Sequence, residues 1–214
     1  MLKTKIVKIE TGKIDKRLIK EAAHIIKKGG LVIYPTETCY GIGGNATNVK
    51  VIDDIYEIKN RPRTKPIPII VSDLRMMNKY GIITDRVRIL MKSFMPGPLT
   101  IVVRKRKTIP DSLNSKEIAF RISSHPVASV LAKEVNLPIT STSANLYNEQ
   151  PLYRAEDVIK TFDKKVDMIL DYGSLPRIKP STLIDMKTNE PKLIREGPIP
   201  IKIIIDELKN QTGS

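Results

Sequence analysis

Several things are scarce in this 214-residue sequence: it has no tryptophan, three phenylalanines, two histidines and one cysteine. A lone Cys39 excludes an internal disulfide and any cysteine-based metal cluster. With His24 and His125 as the only histidines, a structural zinc site lacks ligands. The shortage of flat rings leaves little on which unpaired bases could stack, so any RNA contact would rest on charge. No window approaches eighteen uninterrupted apolar residues, and the opening MLKTKIVKIE has no apolar signal region. A cytosolic protein with no membrane partner is therefore expected. Repeats, low-complexity runs and Gly/Ser linkers are absent too, which at this length favours one domain over residues 1–214.

What the sequence does have is positive charge: 37 Lys and Arg against 23 Asp and Glu, a formal net charge of +14. A surplus of that size attracts phosphate-bearing molecules such as nucleotides or tRNA, without saying which. The densest cationic stretch is Ile58-Lys59-Asn60-Arg61-Pro62-Arg63-Thr64-Lys65-Pro66. Upstream, Val51, Ile52, Ile55 and Ile58 recur at helical spacing, which puts Lys59 near a helix C-terminus, where the macrodipole tolerates a cation. Pro62 and Pro66 then hold the chain extended. Two readings are open: a solvated basic loop, or a stiff turn that grips a polyanion with little ordering cost.

Along the chain, Asp15 can cap a helix running to about Lys28, and Leu31–Tyr34 reads as a short buried strand. Residues 35–45 (PTETCYGIGGN) mix hydroxyls and glycines after that strand, where α/β folds place ligand loops. They match neither a Walker loop nor GxGxxG before a helix. Cys39 within them reads as a small buried apolar side chain. Ser72 and Thr84 are candidate N-caps, and Arg104–Lys107 reads as a basic loop, either solvated surface or an RNA contact. Arg121 lies between apolar neighbours in the strand Ile118–Ile122. Burying it unpaired is costly, so it should be paired or face a ligand. His125 can cap the helix that follows. After the strand Leu137–Thr140, Ser141-Thr142-Ser143-Ala144-Asn145 crowds donors and acceptors at a strand end, and Arg195 sits at another strand end before a Gly-Pro turn. Helical crossovers alternate with hairpin-like returns. The expected fold is α+β in three layers, a twisted sheet of mixed parallel and antiparallel strands flanked by helices.

Four segments occur in an order and spacing that carry more than any one alone: Pro35–Gly43, Lys59-Asn60-Arg61-Pro62, Pro96-Gly97-Pro98-Leu99-Thr100 and Ser143-Ala144-Asn145. With them the chain closely resembles the YrdC-like family of threonylcarbamoyl-AMP synthases, from about residue 10 to 208. Ala119–Ile122 with His125-Pro126-Val127, Ser181-Thr182 and Ile194–Pro198 also fit. The resemblance implies a YrdC/RibB-like catalytic domain with a basic central cavity. It also implies an enzyme that joins L-threonine, bicarbonate or CO2, and ATP into threonylcarbamoyl-adenylate and pyrophosphate. The product serves modification of the adenosine beside the tRNA anticodon, with tRNA met directly or through a transferase complex. By the same resemblance Lys59, Arg61, Ser143 and Asn145 would be catalytic. Lys59, Arg61, Arg63, Thr100, Ser141, Ser143, Ser181 and Arg195 would hold ATP, and Thr36, Arg121 and Ser141 would hold threonine. Mg2+ would accompany the nucleotide; no Asp/Glu pair shows metal-ligand spacing, so phosphates and water are expected to hold it. Departures from the long-form relatives are Ile70, where they carry histidine, and Tyr147-Asn148-Glu149-Gln150-Pro151, where they carry a Ser-Gly…Ser-Pro run. Their extra C-terminal domain is not expected here. The alternative reading is a non-catalytic paralogue that binds double-stranded RNA or tRNA.

Overall fold

The computed structural model describes residues 3–188 and 190–212; Met1, Leu2, Asn189, Gly213 and Ser214 of the expected 1–214 domain lie outside them. In chain order the strands are β1 (Lys5–Lys8), β2 (Val32–Pro35), β3 (Tyr40–Gly43), β4 (Ile69–Ile70), β5 (Leu99–Arg104), β6 (Glu117–Arg121), β7 (Ile139–Thr140), β8 (Thr142–Ser143), β9 (Met168–Asp171), β10 (Thr182–Asp185) and β11 (Lys192–Arg195). The helices are α1 (Lys16–Lys27), α2 (Val49–Ile58), α3 (Leu74–Tyr80), α4 (Asp85–Phe94), α5 (Pro126–Val135), α6 (Ala155–Phe162) and α7 (Ile201–Thr212).

The helix starts follow from local hydrogen bonding. Asp15 accepts from the Arg17 N–H and Asn48 from the N–H groups of Lys50 and Val51. Thr84 caps α4, and His125 Nδ1 accepts from Val127 N–H ahead of Pro126. Each cap satisfies amides that have no partner inside the helix. At α3 the cap is Asp73 and not Ser72: its Oδ1 accepts from Met76 N–H at 2.8 Å, while the Ser72 hydroxyl turns to the Asp73 carboxylate.

The strands divide between two sheets, ordered β1-β9-β2-β3-β8 and β11-β10-β5-β6-β4-β7. One sheet was expected and there are two, but both are mixed as expected. β1, β9 and β2 run parallel while β2–β3–β8 is antiparallel; β4–β6 and β5–β10 are parallel while β5–β6, β4–β7 and β10–β11 are antiparallel. The chain steps from the second sheet to the first between Thr140 of β7 and Thr142 of β8, with only Ser141 between.

Alternation along β2 divides the core. Ile33 joins the larger cluster with Ile52, Ile55, Ile69, Leu99 and Phe120, while Val32 and Tyr34 face the second cluster, formed with Ile19, Ile26, Leu131 and Val135 of α1 and α5. Successive side chains on a strand point to opposite faces, so one strand closes both cores. The glycines of β3 and its exit belong to this packing. A Cβ on Gly43 would stand 2.4 Å from the Tyr34 ring, and one on Gly44 would stand 2.3 Å from Val51 and 2.9 Å from Leu31. Gly44→Ala should therefore overpack the core and lower stability by about 1–3 kcal/mol, read as a lower urea midpoint at unchanged slope.

Candidate active site

A cavity of about 300 Å³ opens where the two sheets meet, within the range of small-molecule sites. The β2–β3 turn (Thr36, Thr38, Cys39), Gly41 on β3, Ser141, and Ser143 with Asn145 line it from one side. Thr100 on β5, Arg121 on β6, Ser181 and Leu183 at β10, and Arg195 on β11 line it from the other. Arg61 and Glu149 also reach it.

Thr36 organises its own turn. Its Oγ1 donates to the Cys39 carbonyl at 2.7 Å and receives the N–H groups of Thr38 and Cys39, and it lies 3.1 Å from Thr38 Oγ1. Arg121 reaches across from the other sheet. Its Nη2 pairs with Glu37 Oε2 at 2.8 Å and its Nη1 donates to Thr38 Oγ1 at 3.2 Å. Ser123 Oγ also donates to Glu37 Oε2. The two charged side chains are 9% and 14% exposed, yet Arg121 Nε and Glu37 Oε1 have no partner. A buried polar atom left unpaired costs about 1–3 kcal/mol, more when charged. Arg121 thus holds a buried, unsatisfied donor on a side chain that faces an open cavity. Burial dominates Cys39, raising its thiol pKa, so the cavity meets a thiol and not a thiolate.

Beside Arg121 on the neighbouring strand, Thr100 Oγ1 lies 2.8 Å from Ser181 Oγ, and Arg195 donates to the Ser181 carbonyl at 2.9 Å and to its Oγ at 3.3 Å. Ser143 Oγ donates to Asn145 Oδ1, whose amide donates to the carbonyls of Leu146 and Glu149. Arg61 is braced on the carbonyls of Lys65 and Pro66 and lies over the Tyr147 ring.

The basic stretch is shaped by the end of α2. Asn60 adopts φ +51°, and the N–H groups of Asn60 and Arg61 close back on the carbonyls of Glu57 and Tyr56. This is the Schellman pattern, with asparagine in the left-handed place. It turns three cations three ways. Arg61 goes to the cavity. Arg63 goes outward, paired with Asp53 and lying 5.3 Å over the Tyr56 ring. Lys59 goes inward: it is 1% exposed, and its Nζ donates to the Ser143 carbonyl at 2.5 Å and to the Asn145 carbonyl. The Lys59 carbonyl in turn accepts from Tyr147 N–H.

Of the residues singled out by sequence, Thr36, Arg61, Thr100, Arg121, Ser141, Ser143, Asn145, Ser181 and Arg195 all line one cavity. Lys59 lies behind its Ser143–Asn145 wall, and the structure does not bring Arg63 to it. Glu37 and Thr38, which fix Arg121, were not singled out. Their signal was present: a buried arginine requires an acidic or hydroxyl partner, and Thr-Glu-Thr follows directly after β2. The basic loop 104–107 is solvated as expected, with Arg104, Arg106 and Lys107 exposed, while Lys105 pairs with Asp111 and Arg106 donates to the Asn78 carbonyl.

The family model described as Sua5_yciO_yrdC, telomere recombination, matches residues 24–197. The chain belongs to the Sua5/YciO/YrdC family. Within it, a Methanocaldococcus jannaschii protein provisionally named threonylcarbamoyl-AMP synthase is 37% identical, with 94% of this chain and 97% of that protein aligned. The Pyrococcus abyssi Sua5 structure in complex with L-threonine superimposes with a TM-score of 0.91 at 31% identity, covering 95% of this chain and 61% of that one. Escherichia coli YciO superimposes with a TM-score of 0.86 at 28% identity, covering 93% and 98%. Against the P. abyssi and Bacillus subtilis proteins named threonylcarbamoyl-AMP synthase, the chain spans 57% and 54% of their length.

In this family member the setting of Lys59 gives a pH signature. Burial, and then the charge of Arg61, lower its pKa from the ordinary 10.5 to about 7. An unfolded chain keeps that proton up to about pH 10.4. Between pH 7 and 10 the unfolded state therefore binds more protons than the folded one, and stability rises with pH. We expect the wild type to gain stability across that window, by at most about 1.4 kcal/mol per pH unit, relative to Lys59→Met. Parallel pH profiles of urea unfolding for the two proteins would refute this setting.

Proposed function

We propose that this chain is an L-threonylcarbamoyladenylate synthase, a nucleotidyltransferase that uses L-threonine, bicarbonate or CO2, and ATP. The observation that carries the reading is the donor set gathered on one cavity: the guanidinium groups of Arg61, Arg121 and Arg195 with the hydroxyls of Thr36, Thr100, Ser141, Ser143 and Ser181. The threonine-bound relative of the same fold supports an amino-acid subsite.

In this reading the substrate carboxylate pairs with the Arg121 guanidinium, and Thr36 and Ser141 border the amino acid. The threonine amine attacks CO2 to form a carbamate and loses a proton. A carbamate oxygen then attacks the α-phosphorus of ATP, and the bond to the pyrophosphate oxygen breaks. Such a reaction asks the protein for positioning and charge neutralisation more than for covalent chemistry. Arg61 and Arg195 neutralise the triphosphate, while Thr100, Ser181, Ser143 and Asn145 present hydroxyl and amide groups to phosphate or ribose oxygens. Lys59 acts from behind, fixing the carbonyls of Ser143 and Asn145.

Magnesium does not find a protein-built cage here. Among the described residues no three acidic, histidine or cysteine side chains cluster, and Glu149 is the one carboxylate residue lining the cavity. The ion would enter on the nucleotide's phosphates. The adenylate product would pass to a transferase that modifies tRNA.

Pyrophosphate release should require threonine and bicarbonate together. Arg61→Ala should lower kcat about 10²-fold or more. Arg121→Lys keeps the charge but loses the fork, so it should raise the KM for threonine about tenfold and leave the KM for ATP unmoved. Near-wild-type turnover by Arg61→Ala, or an Arg121→Lys effect on ATP instead of threonine, would overturn these assignments.

A further inference from the structure

The glycines of β3 are not alike. Gly43 and Gly44 are locked against the core, where an added methyl collides at 2.4 and 2.3 Å. Gly41 has no such obstruction. A Cβ there would meet Thr142 O and Thr36 Cγ2 at 3.6 Å and the Tyr34 ring at 3.8 Å, all ordinary contacts, and its backbone has no positive φ. Gly41 also lines the cavity. It pairs directly with Ser143 on β8 and with Tyr34 on β2, so a side chain there would stand on the same sheet face as theirs. The fold would accept alanine at this position, yet the position is bare.

A short run of contacts ties that bare spot to Arg121. The guanidinium donates to Thr38 Oγ1 at 3.2 Å, Thr38 Oγ1 lies 3.1 Å from Thr36 Oγ1, and the Thr36 methyl faces the missing Gly41 Cβ. We infer that Gly41 is a specificity-determining residue: its bare Cα, bordered by the Thr36 methyl, is the floor that receives the side chain of an amino acid whose carboxylate is held by Arg121. This rests on the synthase reading above and deepens it. A side chain as small as threonine's fits; an alanine methyl at Gly41 takes the place of the substrate's methyl.

The test compares L-threonine with L-serine in threonine-type pyrophosphate release by wild type, Gly41→Ala and Thr36→Ser. One methyl in a pocket is worth about 10–200-fold in selection. Gly41→Ala should keep its thermal midpoint, since alanine replaces glycine without strain. It should lower kcat/KM for threonine at least tenfold while leaving serine within about twofold. Thr36→Ser keeps the hydroxyl and removes the bordering methyl, so it should raise turnover of the longer 2-amino-3-hydroxypentanoate relative to threonine. A threonine-to-serine ratio unmoved in Gly41→Ala, whether activity stays or falls for both, overturns the inference. So does a Thr36→Ser enzyme that gains nothing on the longer substrate. A wild type that releases no pyrophosphate with threonine sinks the synthase reading itself, which is a different failure.

Discussion

Arg121 is a buried cation shared by two sheets. It rises from β6, but its partners Glu37 and Thr38 belong to the turn after β2, so one guanidinium spans the seam in which the cavity lies. Removing one side of such a pair leaves an uncompensated buried charge, at a cost of about 3–5 kcal/mol. The pair is also incomplete, because Nε on one side and Oε1 on the other are unsatisfied. The seam is held together by a pair that itself leaves one donor and one acceptor without a partner.

Lys59 plays the complementary part on the opposite wall. A lysine within a basic stretch is read most simply as one more cation for a ligand, yet its Nζ is spent on two backbone carbonyls of the Ser143–Asn145 segment. With Tyr147 N–H returning to the Lys59 carbonyl, the end of α2 and the exit of β8 are tied at both ends of one residue. Charge near the site thus divides between groups that meet the cavity and a group that holds the wall in place. The left-handed Asn60 between Lys59 and Arg61 makes that division possible within three residues.

Much of this was legible in the sequence. Arg121 was marked by its apolar neighbours, and the hydroxyl run after β7 by its density. The mixed architecture followed from the alternation of crossovers and returns. The division into two sheets was not legible, because β3 and β8 carry too little pattern. β3 is half glycine, and β8 is two hydroxyl residues whose pairing is decided by neighbours far away in sequence. Arg61 and Arg63 could not be separated either, since a two-residue spacing beyond a helix end says nothing about facing until Asn60's backbone is known. Glu37 escaped notice as one acidic residue among 23. Only the pairing across the seam singles it out.

The most direct measurement supplies the protein with carbon-labelled bicarbonate, L-threonine, ATP and magnesium, and follows the label by mass spectrometry. A cavity that binds an amino acid at Arg121 and a nucleotide at Arg61 and Arg195 should yield labelled threonylcarbamoyl-adenylate, with one pyrophosphate released per adduct. ATP turnover without label in an adenylate, or binding of ATP or RNA with no turnover at all, would contradict it. The molecule would then be a binding protein built on the same fold.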